Sequence, residues 1–255
     1  MKKIVAFMGT ARKKATWQAV QQLEAGLKQY AEYDFEYVFL DDYRLEFCRG
    51  CKLCLDKGQE FCPLQDDRDI LLRKMEQADG VIFATPNYAF QVSARMKNLL
   101  DRFAYVFHRP AFFGKVCTAI VTQGAFGGKG IAKYLQAMGV NFGFTVSKGA
   151  WMTTLEPMTQ NQQAQMRRKV GRAAARFHHA LTRSVLPSPS LFRLMMFRIT
   201  RTVLKRFDLK FRDYYYYQEK GWLESDYYYA ASLGPVKKAA GLLFDFLGRL
   251  IARQA

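Results

Sequence analysis

The chain has 255 residues, half of them apolar, enough for one large α/β core or a core with an appendage. Its 39 Lys and Arg against 22 Asp and Glu leave a net charge of +17, which implies an anionic partner. No apolar run approaches the roughly 20 residues of a membrane-spanning helix and no signal-peptide pattern opens the chain, so a cytoplasmic protein is expected.

The run Ile4 to Met8 predicts a buried strand, ended by Gly9 and a basic loop from Thr10 to Lys14. A helix is expected from about Thr16 to Tyr30, with Val20, Leu23 and Leu27 at helical spacing. Strand, glycine turn and helix start build an anion site, because free backbone N–H groups and the helix dipole favour negative charge there. Thr10 and Thr16 add hydroxyls and Arg12 a guanidinium fork suited to phosphate. Neither GxGxxG nor a Walker loop is present.

A second strand is expected at Phe35 to Leu40, then an irregular stretch to Phe61 that carries cysteines. Asp66 to Gln77 reads as a helix with acidic residues favourable at its start. Val81 to Thr85 is a third strand stopped by Pro86, followed by the loop PNYAFQ and a helix from Val92 to Phe107. Val116 to Thr122 is a fourth strand opening into a glycine-rich loop, Gln123 to Gly130. A helix to Met138, a fifth strand near Phe142 to Ser147 and a long helix from Asn161 to Arg183 complete the series. Strands alternating with helices at this spacing imply a doubly wound α/β fold, a five-stranded parallel sheet covered on both faces.

Three loops then follow the carboxyl ends of strands one, three and four, where open sheets of this kind bind ligands. The first suits a phosphate. The second offers Pro86, Asn87, Tyr88, Ala89 and Phe90 as an aromatic and amide-rich wall. The third offers Thr122, Gly124 and Gly127, where glycine lets backbone N–H groups approach closely. A phosphate and a flat heteroaromatic ring fit that set, which points to FMN.

These segments carry a resemblance. Over Met1 to Arg183 the chain resembles the flavodoxin-fold NADPH-dependent FMN reductases, and especially their iron–sulfur flavoprotein branch. Against the family's phosphate loop G-S-x-R-x-x-G-N-T, Gly9, Thr10 and Arg12 match, while Ala15 and Trp17 depart, with Thr16 the substitute hydroxyl. The family's S-P-x-Y-x-x-x-x-S-A-x-x-K-x-x-x-D-R appears as Thr85-Pro86-Asn87-Tyr88, Ser93-Ala94, Lys97 and Asp101-Arg102. The resemblance implies a flavodoxin-like fold, bound FMN and NAD(P)H as co-substrate. A flavin carries its own redox chemistry, so no catalytic acid–base side chain is required. His178 and His179 are expected to face solvent on a basic helix.

Cys48, Cys51, Cys54 and Cys62 have the spacing C-x2-C-x2-C-x7-C. That spacing lies near the bacterial ferredoxin run and is similar to the compact motif of iron–sulfur flavoproteins. A [4Fe–4S] cluster, a zinc ion and redox-active thiols are the three readings it leaves open. Arg49, Lys52 and Lys57 would lower nearby thiol pKa values under any of them. Cys117 is expected in the core.

Pro187 and Pro189 mark a boundary between a flavin domain, 1–186, and a basic helical appendage, 187–255. Leu191 to Phe207 reads as amphipathic, with Phe192, Met195, Met196, Ile199 and Val203 on one face and Arg198, Arg201 and Lys205 opposite. Gly234-Pro235 opens a final helix with Val236, Ala239, Leu243, Phe246, Leu247 and Leu250 on its apolar face. Packing on its own core or on a second subunit is the plain reading, and a homo-oligomer is expected. The sharper reading is peripheral attachment of residues 190–255 to an anionic membrane surface. Nucleic acid ranks third, since no RNP, KH or helix-turn-helix pattern is present. The function expected is transfer of electrons from NAD(P)H through flavin to a small acceptor such as a quinone. Its rival is a non-enzymatic carrier or cysteine-based redox sensor that docks a partner through the basic tail.

Overall fold

The apolar run Ile4–Met8 forms most of β1 (Lys2–Met8) and is fully buried, as a central parallel strand covered on both faces requires. The computed structural model describes residues 1–206 and 211–253. After β1 come α1 (Ala15–Lys28), β2 (Tyr33–Phe39), α2 (Leu53–Asp56), α3 (Arg68–Gln77), β3 (Gly80–Pro86), α4 (Ala94–Arg102) and α5 (Ala104–His108). Then follow β4 (Val116–Gln123), α6 (Gly128–Phe142), β5 (Thr145–Val146), β6 (Ala150–Thr153) and α7 (Gln160–Thr182). The last helices are α8 (Leu191–Arg206), α9 (Arg212–Glu219) and α10 (Pro235–Ile251). They fall into two compact units, Met1–Arg49 with Leu64–Ser184, and Gly50–Pro63 with Val185–Ala255.

In the first unit the strands run in the order β2-β1-β3-β4-β5, all parallel, with β6 also on β4. Alternate residues of each strand serve opposite faces. Ile4, Ala6, Met8 and Ile82 join Leu23 and Leu27 of α1 and Val170 and Phe177 of α7 in one buried cluster. Burial of each such side chain contributes about 1.5–3 kcal/mol. Phe7, Phe83 and Phe144 meet in the core as well, Phe7 stacked on Phe83 at 6.2 Å between ring centroids and Phe144 edge-on to Phe83 at 6.4 Å. A capping box of Thr159 and Gln162 starts α7.

Two expected elements differ. The helix expected from Val92 to Phe107 is two, α4 and α5, broken at Phe103, whose N–H is shared between the carbonyls of Leu99 and Leu100. The fifth strand is also two pieces. Phe142 closes α6, Thr145–Val146 pairs with Val116–Cys117, and the chain pairs with β4 again only at Ala150. Between the two pieces it crosses so close to β4 that a Cβ on Gly149 would lie 2.0 Å from the Ala119 carbonyl oxygen. Gly149→Ala is expected to destabilise the protein by about 1–3 kcal/mol, read as a lowered urea midpoint. An unchanged midpoint would show that the crossing yields.

The second unit holds α2, α8, α9 and α10. Here the expected polarity of α8 holds only in part, with Met195, Ile199 and Val203 half-buried. Arg198 and Arg201 are buried, whereas Phe192 and Met196 of the expected apolar face are exposed. The reason is Asp245 of α10, whose carboxylate accepts from Arg198 at 3.0 Å, Arg201 at 2.6 Å and Thr202 at 3.0 Å. Arg198 also reaches Asp226 at 2.8 Å. Gly241 and Gly248 let the two helices approach: a Cβ there would meet Arg198 at 2.8 Å and Thr202 at 2.9 Å. Lys205 does stay outward, bonded to Glu224. A tyrosine-rich stretch, residues 214–229, forms with Phe197 an aromatic cluster in which Phe197, Tyr217, Trp222 and Tyr228 meet edge to face or stacked. Phe207, at the end of the expected helix, lies outside the described residues. Among those residues no helix is long and apolar enough to cross a membrane.

Candidate functional site

A cleft opens at the carboxyl ends of β1, β3 and β4, lined by Thr10, Arg12, Lys14, Ala15, Thr16, Pro86, Asn87, Tyr88, Thr122, Gln123, Gly124, Thr154 and Glu156. Its floor is set by α1. That helix begins at Ala15 with Lys14 as N-cap, with no side-chain cap and no acidic residue in its first turn. Its N-terminal N–H groups therefore keep their capacity for an anion. Thr10 Oγ1 accepts from Arg12 N–H at 3.3 Å and so folds the loop. The buried hydroxyls of Thr16 and Thr122 pair at 2.7 Å, tying α1 to the end of β4.

Charge at the mouth is mixed. Arg12 is exposed and hydrogen-bonds the Tyr88 hydroxyl. Lys14 Nζ lies 2.7 Å from the Glu156 carboxylate, and this hydrogen bond, with Arg12 adding to it, holds Glu156 below the usual carboxylate range. Glu156 is thus an ionised competitor for any anion that Lys14 would hold.

The opposite wall is a strained turn. Ala89 and Phe90 both have positive φ, 48° and 61°, between Tyr88 and Gln91, whose backbones exchange hydrogen bonds at 3.1 and 3.0 Å. Two non-glycine residues in that conformation cost on the order of 1–3 kcal/mol each. The turn holds Phe90 5.1 Å from Phe126, both rings being mostly exposed. Asn87 donates its backbone N–H to Thr122 O and its side-chain Nδ2 to Phe126 O, both at 2.7 Å. Asn87 Oδ1 is buried with no partner among the described residues. A Cβ on Gly124 would meet nothing within 4 Å, so there the protein leaves room rather than filling it.

Thr10, Arg12, Thr16, Pro86, Asn87, Tyr88, Thr122 and Gly124, expected from sequence, all meet in this cleft. Gly9, Ala89, Phe90 and Gly127 do not line it. Gly9 sits behind the loop, where a Cβ would lie 2.8 Å from Ser93 Oγ, and Gly127 caps α6 against Asn87 and Phe90. The departing residue Trp17 is scaffold, packed on Tyr37 at 4.4 Å and Phe39 at 5.3 Å. His178 is likewise structural, half-buried with Nδ1 2.7 Å from the Tyr33 hydroxyl, whereas His179 is exposed as expected. Sequence reasoning missed Lys14, Ala15, Gln123, Thr154 and Glu156. Gln123 shapes the third loop by accepting from Gly128 N–H at 2.5 Å and donating to Ala125 O at 2.8 Å. Glu156 could have been found only by knowing that β6 returns to this rim.

The second half of the motif after β3 is structural. Ser93 caps α4 by accepting from Met96 N–H, and Lys97 pairs with Asp101. Arg102 forms an almost fully buried pair with Asp66 and also donates to Glu46 O at 2.8 Å. Asn98 donates to Leu45 O at 2.8 Å, so α4 clamps the backbone that leads to Cys48. Asp66 lies just before α3, which begins at Arg68; it binds Arg102 and also accepts from the Arg68 N–H at 3.2 Å, so it serves the helix start as its acidity suggested.

Cys48 and Cys51 are exposed, Cys54 and Cys62 partly so, and Cys117 is buried in β4. Cys48 belongs to the first unit and the other three clustered cysteines to the second. Among the described residues no three or more His, Cys, Asp or Glu side chains are grouped to hold a metal. Cys51, Cys54 and Cys62, which share the second unit, are not grouped there as the shell of a cluster or a zinc ion.

A parallel sheet of order 2-1-3-4-5 with its cleft beside β1 and β3 defines a flavodoxin-like protein. The chain belongs to the NADPH-dependent FMN reductase family, whose profile matches residues 2–156. An iron–sulfur flavoprotein of Archaeoglobus fulgidus is 37% identical over 127 residues, 49% of this chain and 56% of that one. Another from the same organism is 31% identical over 177 residues, 63% of this chain and 88% of that one. The chain spans about half the length of the first such relatives. The NAD(P)H:quinone oxidoreductase from Methanothermobacter marburgensis superposes with a TM-score of 0.53 over 68% of this chain and 95% of that one. At 18% identity this is a likeness of fold alone.

Proposed function

We propose that the chain is an FMN-dependent oxidoreductase that draws electrons from NAD(P)H and passes them to a small acceptor such as a quinone. The observation that carries this reading is the cleft itself, where an uncapped helix N-terminus flanked by Arg12 faces a wall with an unsatisfied buried amide oxygen. When bound, FMN would supply hydride acceptance and one- or two-electron transfer. The residues suited to its phosphate are Thr10, Arg12, Lys14 and Thr16 with the α1 N–H groups. Pro86, Asn87, Tyr88 and Gly124 suit its ring system, and Asn87 Oδ1 would accept from a ligand N–H. The exposed aromatics Tyr88, Phe90 and Phe126 offer a flat apolar rim that favours a planar acceptor.

The test is an anaerobic titration of the apoprotein with FMN and with riboflavin, then with NADPH and NADH. Preference for FMN, with bleaching of the flavin band near about 450 nm by a nicotinamide, supports the reading. Equal binding of riboflavin would remove the phosphate site. Flavin that binds but resists both nicotinamides would favour an electron carrier.

Affinity for FMN is expected to rise with pH through about 6, where a phosphate monoester takes its second negative charge. Glu156 does not titrate in that window, since Lys14 keeps it ionised well below it. Glu156→Gln is expected to tighten FMN binding by roughly 2–5-fold by releasing Lys14, a modest gain because the pair is exposed. Weaker binding in that variant would assign Glu156 a supporting role instead.

A further inference from the structure

The helix α10 has three sides with different chemistry. Its small side, Gly241, Asp245 and Gly248, packs on α8. On the opposite side, at helical spacing, Val236, Leu243, Phe246, Leu247 and Leu250 are all exposed, Val236 to 74% and Leu243 to 55%. Leu242, 69% exposed, widens this face. One edge carries Lys238 and Arg249, both exposed. The helix has one acidic residue, Asp245, and that carboxylate is consumed by Arg198, Arg201 and Thr202.

An apolar face this broad is expelled by water and demands a cover. Charge decides which cover. From Val185 to Ala255 the sequence has twelve Lys and Arg against six Asp and Glu. A second copy laid on α10 would bring Lys238 and Arg249 beside their own equivalents, with no carboxylate on the helix left to receive them. An anionic lipid surface meets both requirements, since acyl chains take the apolar face and headgroup phosphates the basic edge. With 17 residues, α10 is about 25 Å long, enough to lie along an interface.

We propose that α10 docks the protein on anionic lipid, with Val236, Leu243, Phe246, Leu247 and Leu250 entering the headgroup–acyl boundary and Lys238 and Arg249 engaging phosphates. Arg198 and Arg201 of α8 take no part, because they are committed inside the unit. The contact proposed is thus centred on the last helix, and it does not use the two buried arginines of the basic tail.

Flotation of the full chain with vesicles of phosphatidylcholine, with and without phosphatidylglycerol, tests this. The wild type is expected to float with the anionic vesicles, to be released by salt, and to ignore the neutral ones. Leu243→Glu with Phe246→Glu is expected to lower partitioning by at least about 10-fold. Lys238→Gln with Arg249→Gln is expected to lower it about 5-fold per charge removed. All four positions are exposed, so far-ultraviolet circular dichroism melts should match the wild type. Failure of the wild type to float would overturn the proposal. So would light scattering that shows a dimer split by L243E/F246E without any vesicle binding, since a second copy would then be the cover.

Discussion

Arg102→Leu is expected to destabilise the protein by about 3–5 kcal/mol at neutral pH, because it strands the Asp66 carboxylate in the interior. The two side chains are 2% and 1% exposed, and Asp66 also accepts from the N–H groups of Glu46 at 2.9 Å and Arg68 at 3.2 Å. Burial by itself would raise the Asp66 pKa, but Arg102 and the two backbone donors outweigh it and hold the carboxyl below its usual range. The pair's contribution is therefore complete above the unfolded carboxyl value, about 4, and is lost as pH falls through the lower folded one. In the variant the order inverts: Asp66 without its arginine should protonate more readily. The deficit measured by urea unfolding should then be largest near neutrality and shrink toward pH ~4. Asp66→Asn in the Arg102→Leu background should recover part of the loss. A deficit below about 1 kcal/mol, or one independent of pH, would show that the pair does not hold the 44–48 segment.

Arg12→Ala is expected to weaken FMN binding by roughly 10–100-fold with no loss of fold stability, the range of a hydrogen bond between a charged donor and phosphate. Arg12 lies at the surface, so its removal leaves the core intact. Riboflavin, which lacks the phosphate, should bind the variant and wild type alike. Gly124→Val provides the complementary case. Its side chain would enter space that the protein leaves open, so it should fold normally yet lose affinity for FMN and riboflavin together. Isothermal titration with both flavins separates the outcomes. If Arg12→Ala weakens the two equally, the phosphate is held elsewhere.

These expectations differ in how far the residues foretold them. The loop proposed to take phosphate was legible because backbone N–H groups after a buried strand favour an anion there. The motif Thr85 to Arg102 was legible as a pattern, but not its division of labour. Pro86, Asn87 and Tyr88 line the cleft, whereas Lys97, Asp101 and Arg102 brace α4 and the segment before Cys48. Nothing in a linear spacing distinguishes an arginine that meets a ligand from one that meets an aspartate 36 residues away.

The sequence by itself determined the alternation of strands and helices, the parallel sheet and the three loops on one rim, because apolar periodicity and glycine turns act locally. Only the tertiary structure decided that Glu156 stands at the anion loop, that the last strand comes in two pieces with Gly149 crossing close to β4 between them, and that α8 turns Arg198 and Arg201 inward. Each depends on a partner distant in the chain. Apolar spacing along a helix speaks only for that helix's own side chains, and a guanidinium can be buried like an alkyl group once a carboxylate is waiting for it.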